Sequence, residues 1–180
     1  MEKGMSSFLS PTAEREHREY LTTLKNRANI WKKNGFDIGK ITERDILSSR
    51  LHKEEREMLA ELKHDVEMHE LYFSSFSGTY MPCASVKRSF GSENNFAYEL
   101  SRFAEKKKLG FVCVYTDRSG RVGFCGSERL PVGAFPRLAI DVSEHAYFRD
   151  YGFKKEKYLR AAIARLDFSR LSPASARTKS

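Results

Sequence analysis

No run of apolar residues in this 180-residue chain approaches the roughly 20 needed to cross a bilayer, which excludes a membrane-spanning helix. The amino end, Met1 to Ser10, has no apolar segment of the kind a secretory signal carries, so a soluble, cytoplasmic protein is expected. Cysteine is scarce and odd in number. Cys83, Cys113 and Cys125 stand far apart with no C-x-x-C, which argues against a disulfide framework and a thiolate zinc site and suits a reducing compartment. Blocks of one charge are also few. The 32 Lys and Arg against 24 Asp and Glu leave a net +8, yet the basic residues alternate with acids, as in Glu14-Arg15-Glu16 and Lys53-Glu54-Glu55-Arg56-Glu57. That is the pattern of solvated helix faces rather than of a phosphate-binding stripe. Lys106-Lys107-Lys108 and the tail from Ser172 to Ser180 are the unbalanced spots, and they read as helix-end and disordered charge, so no nucleic-acid partner is expected.

What is present suffices for one core, with 40% hydrophobic residues. Ser10-Pro11 is an N-cap and first-turn proline opening a long helix that carries Tyr20, Leu21, Leu24, Ala28 and Trp31 and stops near Asn34-Gly35. Thr42-Glu43-Arg44-Asp45 is a capping box for a short helical piece. A second long helix follows over about Lys53 to Phe76, with Leu59, Leu62, Val66, His69 and Phe73 at steps of three and four. Gly78 to Gly91 reads as a loop, and Ser92 opens a third helix burying Phe96, Leu100 and Phe103. The texture then turns to strands: Gly110–Thr116 and Arg121–Cys125 flank the turn Asp117-Arg118-Ser119-Gly120, and a third strand fits Arg137–Val142. Glu144 to Phe148 leads into a last amphipathic helix with Tyr158, Leu159, Ala162, Ile163 and Leu166. The order predicts an α+β fold: a helical hairpin domain over residues 1–78, an α/β domain with a three-stranded antiparallel sheet over 79–171, and a flexible tail over 172–180.

Two features bear on chemistry. His69 lies on the buried stripe of its helix, a place where a lone histidine is usually a hydrogen-bonded core residue. Asp141 ends a strand and His145 follows four residues later, so both side chains can converge beyond the strand's end.

Together these residues carry a resemblance. Asp141-Val-Ser-Glu-His-Ala-Tyr147, with Asp150-Tyr151 and Lys157-Tyr-Leu159 after it, resembles the D-x-W-E-H-A-Y motif of the iron/manganese superoxide dismutase family and its continuation. His17-Arg-Glu-Tyr-Leu-Thr-Thr-Leu24 is similar to the family's first-helix H-x-x-Y-V-x-x-L, and His69-Glu-Leu-Tyr-Phe73 to its second-helix H-x-x-x-W. The resemblance implies a helical hairpin followed by an α/β lobe, a homodimer, and one iron or manganese ion per subunit acting on superoxide. It places metal ligands on His69, Asp141 and His145, the gateway tyrosine on Tyr20, and on Glu144 the glutamate that reaches the partner's histidine across the dimer interface. Two histidines and one carboxylate suit either ion.

The departures from that pattern set further expectations. The family's first-helix ligand falls eight residues before Tyr20, on Thr12, so this ligand is expected to be missing, and His17, displaced by about 140° around the helix, is not expected to replace it. The chain has no glutamine, and Asp65 stands where iron-type members place the glutamine bonded to the metal's solvent. Ser143 replaces the motif's tryptophan, and Phe148 and Glu16 occupy the positions of the family's cross-dimer tyrosine and histidine. The expected function is therefore that of a divergent dismutase with reduced or lost activity. The alternative is a non-catalytic, superoxide-dismutase-like structural or RNA- and ribosome-associated protein, for which +8 is suitable but a long basic extension is lacking. An oxygenase using two His and one carboxylate is chemically allowed, with no pointer to a co-substrate.

Overall fold

Ser10 starts the first helix by accepting the Ala13 N–H on its side chain while Pro11 takes the first helical position. The computed structural model describes residues 8–76 and 83–172, so the expected boundary near Gly78, the segment holding Pro82 and all of the tail beyond Ser172 lie outside the described residues. The first helix, α1 (Pro11–Lys33), buries Ala13, His17, Leu21, Leu24 and Ala28, one continuous stripe at steps of four, four, three and four. A short helix, α2 (Glu43–Leu47), is held by the Thr42–Asp45 capping box. The second long helix, α3 (Lys53–Ser74), ends two residues earlier than expected and packs beside α1 through Leu21, Leu24, Ala28, Leu62 and Val66. Tyr20 stands at the edge of the stripe, 42% exposed.

The stretch read as a loop before Gly91 contains a further helix, α4 (Ala84–Phe90), anchored by the fully buried Val86. Ser92 caps α5 (Glu93–Lys106), which buries Phe96, Leu100 and Ala104. Three antiparallel strands follow: β1 (Phe111–Thr116), β2 (Val122–Gly126) and β3 (Phe135–Asp141), in the spatial order β2-β1-β3. A bulge between Val114 and Tyr115 shifts the β1–β3 register so that Val114 faces Leu138 and Tyr115 faces Pro136. One face of the sheet lies on α3, where Phe111 meets His69 and the Cys113 sulfur meets Met68; on the other, Phe124 packs among Phe90, Phe96 and Phe103. The outer edge of β3 is not left bare, because the Ala139 N–H donates to the Ser75 hydroxyl at 2.7 Å.

Two connections bring the end of β3 against the helical hairpin. Gly110, with φ at +85°, turns the chain into β1; its carbonyl accepts the Val142 N–H at 2.9 Å and its own N–H donates to Ser143 Oγ at 2.9 Å. Ser143 thus spends its hydroxyl on the backbone at the place where the motif has an aromatic ring. Beyond it α6 (Glu144–Tyr151) crosses α1, and α7 (Lys155–Ile163) covers α5. Ser10 grips α6 through its N–H and hydroxyl, 2.6 and 2.7 Å from the Asp150 carboxylate. From α7 the fully buried Tyr158 donates its hydroxyl to the Asp141 carbonyl at 2.8 Å, pinning the residue at the centre of the site.

Candidate metal centre

Four side chains from four elements meet between the hairpin and the sheet: His17 of α1, His69 of α3, Asp141 at the end of β3 and His145 in the first turn of α6. Each offers a ligand atom, and all four atoms lie within 4.8 Å of one another. Asp141 Oδ2 is the hub, at 3.2 Å from His17 Nε2, 3.7 Å from His69 Nε2 and 2.9 Å from His145 Nε2. The convergence expected of His69, Asp141 and His145 is there, and it includes a fourth member.

His17 overturns the expectation of a missing first-helix group. Tyr20 already sits at the site, and His17, three residues earlier, is only about 60° from it around the helix, so its distance from position 12 does not keep it out. His17 reaches the cluster from the buried side and Tyr20 from the solvent side, with the Tyr20 ring 5.2 Å from His69 and 4.9 Å from His145. A signal was present: His17 precedes Leu21 by four residues on the α1 stripe, just as His69 follows Val66 by three on the α3 stripe.

The remaining polar atoms of the cluster are held so that the facing atoms stay free. The His69 Nδ1 sits 2.7 Å from the Asp65 carbonyl, which directs its Nε2 inward. Asp141 Oδ1 accepts the Ser143 N–H at 2.8 Å, leaving Oδ2 for the cluster. Yet Asp141 Oδ2, His69 Nε2 and both His17 nitrogens are buried without a hydrogen-bond partner. The imidazoles stand close to the carboxylate without making a hydrogen bond to it. Unpaired polar atoms buried in this way are costly, and three imidazoles with one carboxylate offer nitrogen and oxygen donors that suit iron or manganese. The residues present therefore fit such an ion.

Burial works against charge throughout. It lowers His69 to about 4, an effect that the Asp65 carbonyl and the Asp141 charge only partly oppose. Asp141 is pushed upward by burial, but the adjacent His145 and His17 outweigh it and hold the carboxyl below the usual carboxylate range. Burial lowers His145 and the Asp141 carboxylate raises it, with a net rise. Burial first, then the charges of Asp65 and Asp141, raise Tyr20 above its ordinary value. Neutral His69 beside ionised Asp141 is the protonation pattern metal binding requires.

Aromatic rings line the buried side: Tyr72 and Phe73 lie 4.8 and 5.0 Å from His17, and Phe111 lies 4.8 Å from His69. Tyrosine and phenylalanine thus enclose this side, and Trp31 packs on Phe36 instead. The outer side opens through a cleft of about 490 Å³ lined by Glu16, His17, Tyr20, Glu144, His145, Phe148 and Arg149. His145 is 40% exposed there, and Glu16 pairs with Arg149 of the same chain at 2.6 Å across the rim. Glu144 is exposed beside His145, and the half-buried Asp65 lies close enough to raise both His145 and Tyr20.

Comparison with known proteins agrees with this geometry. Residues 82–173 match the family described as iron/manganese superoxide dismutases, C-terminal domain. The iron superoxide dismutase of Cupriavidus metallidurans is 32% identical over 115 residues, an alignment covering 57% of this chain and 57% of that protein. The chain thus spans less than two thirds of that relative's length.

Proposed function

The chain belongs to the iron/manganese superoxide dismutase family, and on that premise we propose that it holds one iron or manganese ion on His17, His69, Asp141 and His145 and dismutes superoxide to oxygen and hydrogen peroxide. The observation that carries this is the cluster itself: four ligand atoms within 4.8 Å, most of them buried and lacking any other partner. Bound there, the ion supplies the redox centre that alternately accepts an electron from superoxide and returns one to it. The protein's part is to hold and orient. The Asp65 carbonyl fixes which nitrogen His69 presents, the Ser143 N–H fixes which oxygen Asp141 presents, and Tyr158 anchors the backbone of Asp141. Tyr20 stands at the rim between the cleft and the His69 and His145 rings, where it borders the approach of a small anion.

Turnover is slower than the family's chemistry allows. The chain has no glutamine to tune the metal's solvent, and a carboxylate, Asp65, stands nearby instead. Negative charge favours the oxidised ion and moves its potential away from the midpoint between the two half-reactions. The same feature favours a second reading, a centre that binds metal and does not turn over. The subunit is proposed to work in the cytoplasm as a homodimer joined through the Glu144-His145 segment, with Phe148 and Glu16 making that contact weaker than their counterparts would.

Metal analysis of the purified protein alongside a superoxide assay tests both readings. About one equivalent of iron or manganese is expected, with dismutation well below the diffusion ceiling of about 10⁹ M⁻¹s⁻¹ and both lost in His145→Ala. Metal without activity selects the second reading. Failure to bind either ion when supplied in excess rejects both.

A further inference from the structure

Two of the three cysteines are direct cross-strand partners: Cys113 of the central strand β1 stands opposite Cys125 of the edge strand β2. Residues paired in this way point to the same face of a sheet, and their Cα atoms lie about 4.5–5.5 Å apart. That falls inside the separation of about 4.4–6.8 Å that a disulfide bridges without backbone movement. Both are free thiols here. The face they share is the one toward α3, where the Cys113 sulfur rests 3.5 Å from the Met68 sulfur. The two differ in access, since Cys113 is buried and Cys125, on the open edge of the sheet, is half-buried. Cys83 lies before α4 and is not part of this ladder.

We propose that Cys113 and Cys125 form an oxidation site, closed to a cross-strand disulfide by hydrogen peroxide. Peroxide reaches Cys125 first from the open edge. A sulfur–oxygen bond forms as the O–O bond breaks, giving the sulfenic acid and one water. The Cys113 sulfur, turning from Met68, then attacks the Cys125 sulfur; the S–S bond forms, hydroxide leaves, takes the Cys113 proton and becomes the second water. Two thiols and one peroxide thus give one disulfide and two waters. Burial pushes Cys113 up to about 12 and raises Cys125 as well, so neither thiol is activated at rest and closure answers sustained rather than brief exposure. Peroxide is the product of the proposed reaction, but the site needs only peroxide from some source.

The test is to expose the purified 180-residue chain to hydrogen peroxide, alkylate it and map its peptides without reduction. One linked species joining the Cys113 and Cys125 peptides is expected, two hydrogens lighter than the sum of its parts and opened again by dithiothreitol, while Cys83 remains alkylated. Cys83→Ser keeps the link and Cys125→Ser loses it. Accumulation of Cys125 sulfinic acid with Cys113 still alkylated, both thiols remaining free, or a bridge to Cys83 each overturns the proposal. Because peroxide is added, the result is independent of whether the chain dismutes superoxide.

Discussion

Replacing His17 by alanine is the perturbation that bears hardest on the corrected ligand set. Its side chain is fully buried, and both ring nitrogens lack hydrogen-bond partners. Metal that binds the folded protein stabilises it by mass action, worth about 2.7 kcal/mol when free metal is 100 times its dissociation constant. For a chain of this size each kcal/mol moves the melting temperature by about 2–4 °C, so loading the wild type should raise it by about 5–10 °C. Loss of even an outer-shell partner of a metal ligand weakens affinity by about 10–100-fold. A direct ligand should cost at least the upper figure, which leaves free metal near the new dissociation constant and an increment of about 0.4 kcal/mol, or roughly 1 °C. The assay is differential scanning fluorimetry of metal-free and metal-loaded protein, with each variant compared to its own metal-free baseline so that the cavity left by His17→Ala cancels. Thr12→Ala, at the position singled out by sequence spacing, should keep the full increment. If His17→Ala keeps it and Thr12→Ala loses it, the spacing argument was right and the fourfold cluster is not the metal site.

Three further outcomes follow from the same geometry. Asp65→Gln should raise the dismutation rate by about tenfold or more and raise the metal's midpoint potential, measured by redox titration of the loaded protein; an unchanged potential means the Asp65 carboxylate does not reach the metal's field. Glu144→Ala should shift the protein toward monomer in sedimentation velocity at micromolar concentration, and a wild type that is already monomeric removes the dimer from the account. The metal-free protein should lose stability in acid: His69 is held at about 4, below its ordinary 6.5, so the unfolded chain takes up this proton first and stability falls as pH drops from about 6.5 through 4. Asp141, held below the usual carboxylate range, adds a loss at still lower pH. His145, raised by Asp141, works the other way over the same fall, so the urea titrations compare wild type with His145→Ala; a stability that stays flat in both would mean that His69 is not buried in its neutral form.

Local chemistry carried most of the architecture into the sequence. Ser10-Pro11, the Thr42–Asp45 box and Ser92 each cap the helix they announce, and the alternation around Asp117-Arg118-Ser119-Gly120 gives the hairpin found between β1 and β2. The helix α4 escaped notice because it is seven residues long, sits among Ser, Pro and Gly, and has its deep anchor in the single side chain of Val86. In the site, Asp141 and His145 are legible through a motif whose residues are close together in the chain, and His69 through a second short motif on α3. His17 was not, because its role depends on how α1 is rotated against α3, a tertiary fact that counting backward from Tyr20 does not contain. The cross-strand meeting of Cys113 and Cys125 was hidden for a similar reason: two cysteines twelve positions apart become neighbours only once the hairpin register is fixed. Ser143, standing in place of the motif's tryptophan, has a role that only the fold shows: its hydroxyl accepts the Gly110 N–H.

The most direct test of the four-residue centre is anomalous diffraction at the iron and manganese edges from crystals of metal-loaded protein. The account predicts one peak per subunit, about 2 Å from a ring nitrogen of His17, from His69 Nε2, from Asp141 Oδ2 and from His145 Nε2. A peak that leaves His17 outside coordination distance, or loaded crystals with no peak among these four side chains, would contradict it.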